Sequence, residues 1–373
     1  MRRGGFKMKR IAFIKFAGLA AGGCEKYLQN IACILSKSDE FEVDYFYTNA
    51  SPYINWDSPF VHPDNDESRK KIMQEHDIKL IKVNVENKDA AGVPYRWVNT
   101  DFWELFNEED YDYVSSARSG YPEYPFNLIN KTKIIDTIHG PQGEDKENIE
   151  KSILLCDWQA EQWANNGGNI DKAIIIPTLV KVPEQKPSNL REELGISPEA
   201  FVYGFHQGNR DDIYSPLSLA AYEKIANPNN YFIIMGGSQY HRQYAKKIGA
   251  GNILFLDFES SVEKIHNFLG AIDVFAHARR DGEVCSAAII EALYHGKPII
   301  SHPAMNMGHA EQIEGCGKMA TTLEEYFSEM KKLEEDNHYY ADISSKAKAK
   351  YEEKYSYNAI QDKILKVYSD DYK

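Results

Sequence analysis

Two glutamates, Glu283 and Glu291, stand eight residues apart around a small and apolar run, Ser286-Ala287-Ala288-Ile289-Ile290. Such a run suits a helix packed closely against a sheet. If that helix starts near Cys285 or Ser286, the backbone of Cys285, Ser286 and Ala287 offers N–H groups and a positive dipole end, a seat for a phosphate. Glu283 would stand just before the seat, and Glu291 up to about 12 Å further on at 1.5 Å per residue. Carboxylates accept paired hydrogen bonds from vicinal hydroxyls, so each acid could hold one sugar of a molecule whose phosphates rest between them. The ordinary alternative is a pair of solvated helix glutamates, but residues 287–293 are too apolar to offer much solvated face.

Two further places carry chemistry. His139-Gly140 follows a parallel strand read at 133–138, the strand end where open α/β sheets place ligands. The loop AGLAAGG, with Gly22 and Gly23 at its end, joins a strand to a helix and lets backbone approach a phosphate. Gly18, Gly22 and Gly23 lack dinucleotide-fingerprint spacing. Asp110-Tyr111-Asp112 has the form of an Asp-x-Asp metal motif, but its surroundings read as the approach to a strand, and it is set aside.

The elements that must hold these groups alternate strand and helix. Residues 10–16 (RIAFIKF) read as a buried parallel strand, and residues 24–36 as a helix with Leu28, Ile31, Ala32 and Leu35 inward. Strands are expected at 42–48, 78–85, from 112, at 133–138, 152–156 and 173–176, with an irregular polar loop at 51–69. Pro177 leads into VKVPEQKPS, whose prolines fit a domain boundary. Residues 190–195 and 201–205 restart a sheet, continued at 231–235, 252–256, 272–276 and 299–301. From Thr322 the chain reads as charged helix, closing with a terminal helix at 351–368.

The stretch 281–301, DGEVCSAAIIEALYHGKPIIS, resembles the Glu-x7-Glu segment of retaining glycosyltransferases with the GT-B fold, the family 4 group. Glu283, Ser286, Glu291, Ala292, Gly296 and Pro298 fall at that family's places, with Ser286 where glycine is usual. The resemblance implies an α/β fold of GT-B type: two Rossmann-like domains, a cleft between them, and a C-terminal helix crossing back to the first. It divides the chain into an acceptor-side domain at 1–180, completed by a helix at about 355–373, and a nucleotide-sugar-binding domain at 181–354.

The same resemblance implies roles. Gly22 and Gly23 close over the donor phosphates, His139 contacts the donor sugar, and Arg210 meets the diphosphate. Asp257 and Phe258 lie against the nucleobase, Glu283 holds the transferred sugar and Glu291 the ribose. The family's lysine about five residues after the arginine is missing, since Asp211, Asp212, Ile213, Tyr214, Ser215 and Pro216 follow Arg210. Loss of such a cation beside a leaving diphosphate is worth a few kcal/mol, roughly, in a transition state. Arg279 and Arg280 are candidate substitutes. The implied reaction is a front-face transfer in which the leaving phosphate takes the acceptor's proton, so no cofactor, metal or protein nucleophile is expected. The rivals are a binding or scaffolding protein with the same fold and no turnover, and a nucleotide-sugar epimerase.

Composition bounds the rest. A chain of 373 residues with 43% hydrophobic and 12% aromatic residues can build two cores. A net charge of −13 argues against general nucleic-acid binding, which needs clustered Lys and Arg. Cys24, Cys33, Cys156, Cys285 and Cys316 are scattered, so neither disulfides nor a zinc site is expected, and a reducing cytoplasm fits. The apolar run at 11–16 is too short for a signal-peptide core or a membrane span. The partners implied are a nucleotide-sugar donor and a saccharide or glycolipid acceptor. Aromatics at 95–103 and 121–126 are either acceptor surface or core, and Arg69, Lys70, Lys71, Lys79 and Lys82 hint at peripheral membrane contact.

Overall fold

The computed structural model describes residues 8–15, 19, 23–48, 67–84, 100–118, 124–140, 142–143, 146–183, 187–207, 210–249, 252–259 and 261–369. Its contacts divide the chain into two units, Met1–Ile176 with Ile360–Lys373, and Pro177–Ala359.

The first unit runs β1 (Lys9–Lys15), α1 (Gly23–Leu35), β2 (Phe41–Tyr47), α2 (Glu67–Glu75), β3 (Lys79–Lys82), α3 (Phe102–Leu105), β4 (Tyr113–Arg118), β5 (Lys133–Ile138), β6 (Ile149–Leu154), α4 (Asp157–Asn165) and β7 (Ala173–Ile175). Its seven strands lie in the order β3-β2-β1-β4-β5-β6-β7, every neighbouring pair parallel. A parallel sheet covered on both faces takes apolar residues continuously, and Ile11, Ala12, Phe13 and Ile14 of β1 are all buried. Helix α1 buries Leu28, Ile31, Ala32 and Leu35, the one-face spacing of a helix on a sheet. Tyr124 and Phe126 join Phe102 and Phe106 in a buried cluster, so these aromatics are core. Residues 95–99 and Tyr121 lie outside the described residues.

The second unit runs α5 (Leu190–Glu193), β8 (Phe201–His206), α6 (Leu217–Glu223), β9 (Asn230–Met235), α7 (Gln239–Ile248), β10 (Ile253–Leu256), α8 (Val262–Ala271), β11 (Val274–Ala276), α9 (Ala287–Tyr294), β12 (Ile299–Ser301), α10 (Gly308–Ile313), β13 (Gly317–Met319), α11 (Leu323–Glu335) and α12 (Asn337–Lys350). Six parallel strands lie in the order β10-β9-β8-β11-β12-β13. Strand order reverses between β8 and β11, and the crevice beyond the carboxyl ends at such a reversal is where open α/β sheets bind ligands.

The last helix, α13 (Tyr357–Ser369), packs on the first sheet. Tyr368 is fully buried, its hydroxyl 2.6 Å from Ser115 Oγ and its ring stacked on Phe13 at 6.3 Å.

Three expectations change. Residues 190–193 are helical, not a strand: Leu190 and Leu194 recur at helical spacing, and Gly195 at φ +66° stops the turn. The expected helix at 351–368 is interrupted, with a π turn at Tyr351–Tyr355, Ser356 extended, and α13 starting only at Tyr357. Strand β13 was not anticipated, because Gly-Lys-Met has no strand pattern and exists through its pairing with β12. Among the described residues no helix is long and apolar enough to cross a membrane.

Candidate functional site

Strand β11 ends at Ala276, and the loop to α9 begins with His277, which is wholly buried. His277 Nδ1 lies 2.7 Å from Ser301 Oγ at the end of β12, and Nε2 lies 3.2 Å from Glu283 Oε1. A carboxylate only accepts, so Nε2 carries the hydrogen and Nδ1 accepts from the serine. The arrangement has the connectivity of a Ser-His-Glu nucleophilic triad, but Ser301 and His277 are both fully buried, so no substrate can reach the hydroxyl.

Glu283 is held from several sides. Its main chain pairs with His309, whose N–H donates to Glu283 O at 3.0 Å and whose Nδ1 accepts from Glu283 N at 3.4 Å. His309 Nε2 in turn donates to the His302 carbonyl at 3.0 Å, which fits that tautomer. Arg279 grips Asp281 with two bonds, 2.8 and 2.6 Å, and stands 3.8 Å from Glu283. Burial pushes the Glu283 carboxyl up, but the His277 hydrogen bond, the Arg279 charge and a Ser286 hydrogen bond outweigh it and hold the acid below its ordinary range. Burial holds His277 below the usual histidine value.

Helix α9 starts at Ala287 with Ser286 as its N-cap, Oγ accepting from Ile289 N at 3.3 Å. Gln312 of α10 accepts from Ser286 N at 2.8 Å and donates to Ser286 O at 3.1 Å. The Ser286 backbone is therefore committed, and the N–H groups left without an intrahelical acceptor are those of Ala287 and Ala288, at an accessible surface. Cys285 is half-buried, its sulfur accepting from Thr178 N at 3.5 Å, and burial pushes its thiol up to about 11. At the far end Gly296, at φ +63°, closes the helix: Gly296 N donates to Leu293 O and Lys297 N to Ala292 O, and Pro298 follows. Ile289, Ile290, Ala292 and Leu293 are fully buried, while half-buried Glu291 has Oε2 3.1 Å from His206 Nε2 at the end of β8.

Other expected residues are less drawn together. Arg210 is exposed and pairs with Asp212, Nε to Oδ1 at 3.0 Å and Nη2 to Oδ2. Asp257 and Phe258 are exposed beyond β10, and a Cβ placed on Gly236 would stand 3.6 Å from the Phe258 ring, so the ends of β9 and β10 are adjacent. In the first unit, His139 has Nε2 buried without a partner and its ring edge-on to Tyr27 at 5.5 Å; burial and nearby Lys15 lower its pKa to about 3. Gly23 opens α1, and Gly22 lies outside the described residues. Among the described residues no group of three or more His, Cys, Asp or Glu side chains could hold a metal ion.

Residues 309–313 read as a helix start, matched by α10, but the sequence assigned no role in the site to His277, Ser301, His309, Gln312 or the His206 contact. One signal was available: His277 is the first residue past a strand's carboxyl end, the argument that selected His139.

Over its whole length the chain is similar to structures of known glycosyltransferases. HepE of Anabaena, solved in complex with UDP, is 17% identical with a TM-score of 0.72, covering 97% of this chain and 100% of that one. Sucrose-phosphate synthase of Thermosynechococcus elongatus is 15% identical with a TM-score of 0.69, covering 98% and 99%. A glycosyltransferase from Rickettsia africae is 14% identical with a TM-score of 0.68, covering 98% and 99%. The fold is GT-B. In sequence, residues 215–350 match the family model for glycosyl transferases group 1, a stretch that includes Glu283, α9 and Glu291. Comparison with curated proteins gave no match.

Proposed function

We propose that the chain is a retaining glycosyltransferase, moving a sugar from a nucleotide-sugar donor to a saccharide or glycolipid acceptor. The start of α9 carries this reading. Two backbone N–H groups and the positive end of an apolar helix lie between Glu283 and Glu291, within the stretch that matches the family model. HepE has been solved with UDP and with UDP-glucose, which makes uridine donors the first to try.

In this reading the diphosphate rests on Ala287 and Ala288 beside Cys285 and Ser286, with Arg210 as a mobile cation. Glu283 takes hydroxyls of the transferred sugar, Glu291 the ribose, and Asp257 and Phe258 the base. The bond from the anomeric carbon to the phosphate oxygen breaks through an oxocarbenium-like state. The acceptor hydroxyl attacks from the same face, its proton passes to the leaving phosphate, and a nucleoside diphosphate departs. No step needs a metal or cofactor, and the enzyme is proposed to work in the cytoplasm.

A second reading, a nucleotide-sugar binder without turnover, is favoured by the missing lysine and by the engagement of Arg210 with Asp212. A thermal-shift panel of UDP-, GDP-, ADP- and TDP-sugars tests both, since a bound donor raises the melting temperature by mass action. The proposal expects one donor class to shift the transition and to release nucleoside diphosphate, with release lost in Glu283→Ala and Arg210→Ala. A shift without turnover selects the silent binder, and no shift with any donor refutes both.

A further inference from the structure

The arrangement around Glu283 contains more order than a carboxylate needs simply to face solvent. Starting from Ser301, the hydroxyl donates to His277 Nδ1, and His277 Nε2 donates to Glu283 Oε1. The backbone beneath is braced as well, since the buried Tyr326 hydroxyl reaches the carbonyls of His277 at 3.1 Å and Ile300 at 3.2 Å. Phe275 stacks against the imidazole at 6.4 Å, and His309 packs on it at 5.3 Å while pairing with the Glu283 main chain. The charged and titratable groups around the pair include Arg279 and Cys285 on the same loop, His302 after β12, His309 on α10 and the buried Tyr326 of α11.

We infer that His277, seated on Ser301, is a positioning residue that fixes Glu283 in one rotamer with one oxygen engaged. The inference rests on the proposed donor site. A neutral imidazole with one enforced tautomer presents a single N–H, and it does so without adding a positive charge next to the sugar. A carboxylate has about four acceptor sites, so those outside the His277 and Ser286 contacts remain for ligand hydroxyls. The main chain of Glu283 is clamped by one histidine and its side chain by another. Such support is what keeps a group within the tight tolerance that recognition of paired hydroxyls requires.

The test compares His277→Phe, which keeps a planar ring but has no N–H, with His277→Gln, which restores an amide donor, and with Ser301→Ala. In each background, the stability of the full chain and of its Glu283→Gln counterpart is followed by urea unfolding across pH. The pH at which their difference disappears reports titration of Glu283 without any ligand. We expect that midpoint to rise by about one pH unit in His277→Phe, to stay in place in His277→Gln and to move partway in Ser301→Ala. Titration calorimetry with UDP and UDP-glucose is the second arm. His277→Phe should weaken UDP-glucose about 10- to 100-fold, the loss of a charge-assisted contact, and UDP far less.

An unchanged midpoint in His277→Phe overturns the inference, and so does equal weakening of UDP and UDP-glucose. A midpoint that moves as expected in a protein binding no nucleotide sugar keeps the clamp on Glu283 and refutes the donor site instead.

Discussion

Gly282 immediately precedes Glu283 and adopts φ +66°, and a Cβ there would stand 2.0 Å from the Asn306 carbonyl oxygen and 2.9 Å from Ala304 Cβ. Carbon to oxygen contacts are ordinarily no closer than about 3.3 Å, so Gly282→Ala forces the loop and Asn306 apart by roughly 1.3 Å. That shift threatens both hydrogen bonds from Asn306 to Asp281 O, at 2.9 and 2.8 Å. Left-handed backbone at alanine adds about 1–2 kcal/mol, and two weakened neutral bonds add about 1 kcal/mol each, for roughly 3–4 kcal/mol in total. Gly296→Ala is the control. Its φ is +63°, nearly the same strain, but its Cβ would meet Ser344 O and Oγ at 3.3 Å at the opposite end of α9. Urea unfolding should show both variants destabilised, Gly282→Ala the more. Donor turnover should separate them. A displacement of about 1 Å at a positioning group costs on the order of 100-fold, so Gly282→Ala should lose about that much in kcat/KM. Gly296→Ala, acting at a distant site, should stay within about 3-fold of the parent. The reasoning is refuted if Gly282→Ala turns over like the parent, or if both variants lose activity equally.

Three further outcomes follow from the same geometry. Glu283 is held below its ordinary range, so its stabilising contribution is full above the unfolded value near pH ~4.3 and is lost as pH falls through the folded one. Urea unfolding should therefore find Glu283→Gln less stable than the parent at pH 7, with the gap closing in acid. Tyr368→Phe leaves the buried Ser115 hydroxyl without its partner and should cost about 1–2 kcal/mol, while Tyr368→Ala should cost about 3–5 kcal/mol, both read by urea unfolding. With its thiol pushed up to about 11, Cys285 should alkylate much more slowly at pH 7 than a free thiol, and mass spectrometry of iodoacetamide-treated protein should find it among the last modified.

What the sequence displays depends on whether a segment's own residues decide its conformation. Strand β1 reads from the sequence because a strand buried on both faces favours a continuous apolar run, here Ile11-Ala12-Phe13-Ile14. Helix α9 reads well because its punctuation is local: a serine cap, an apolar body, then glycine and proline. Strand β13 is different, since Gly317–Met319 becomes a strand only through pairing with β12. Near the candidate site, the start of α9 was legible because its cap and apolar body are contiguous in the chain. The contacts of His206 with Glu291 and of Ser301 with His277 join separate strands and loops, and only the order of strands in the sheet brings them together. His277 was hidden further by its neighbours, because Ala-His-Ala-Arg-Arg carries no glycine to announce a turn.

The charges at the β11–α9 loop bear on the missing lysine. Asp281, Glu283 and Glu291 bring three carboxylates to this edge, and the helix start offers only about half a positive charge to set against a diphosphate. Arg279 is the nearest guanidinium, but two of its nitrogens bind Asp281 and a third lies 3.8 Å from Glu283. Its charge is already balanced by the loop it shapes, so it is a poor replacement for a phosphate-binding lysine. Arg280 is different: it is exposed, lies over the Tyr240 ring at 5.8 Å, and has no acidic partner among the described residues. Arg210 has a partner in Asp212, but both are exposed, and exposed ion pairs are weak enough to exchange for a doubly charged ligand. In the proposed donor site the structural cation and the phosphate-binding cations are therefore different residues. Arg279 holds Asp281 and Glu283, and exposed Arg280 and Arg210 are the candidates for the absent lysine's role in that proposed site.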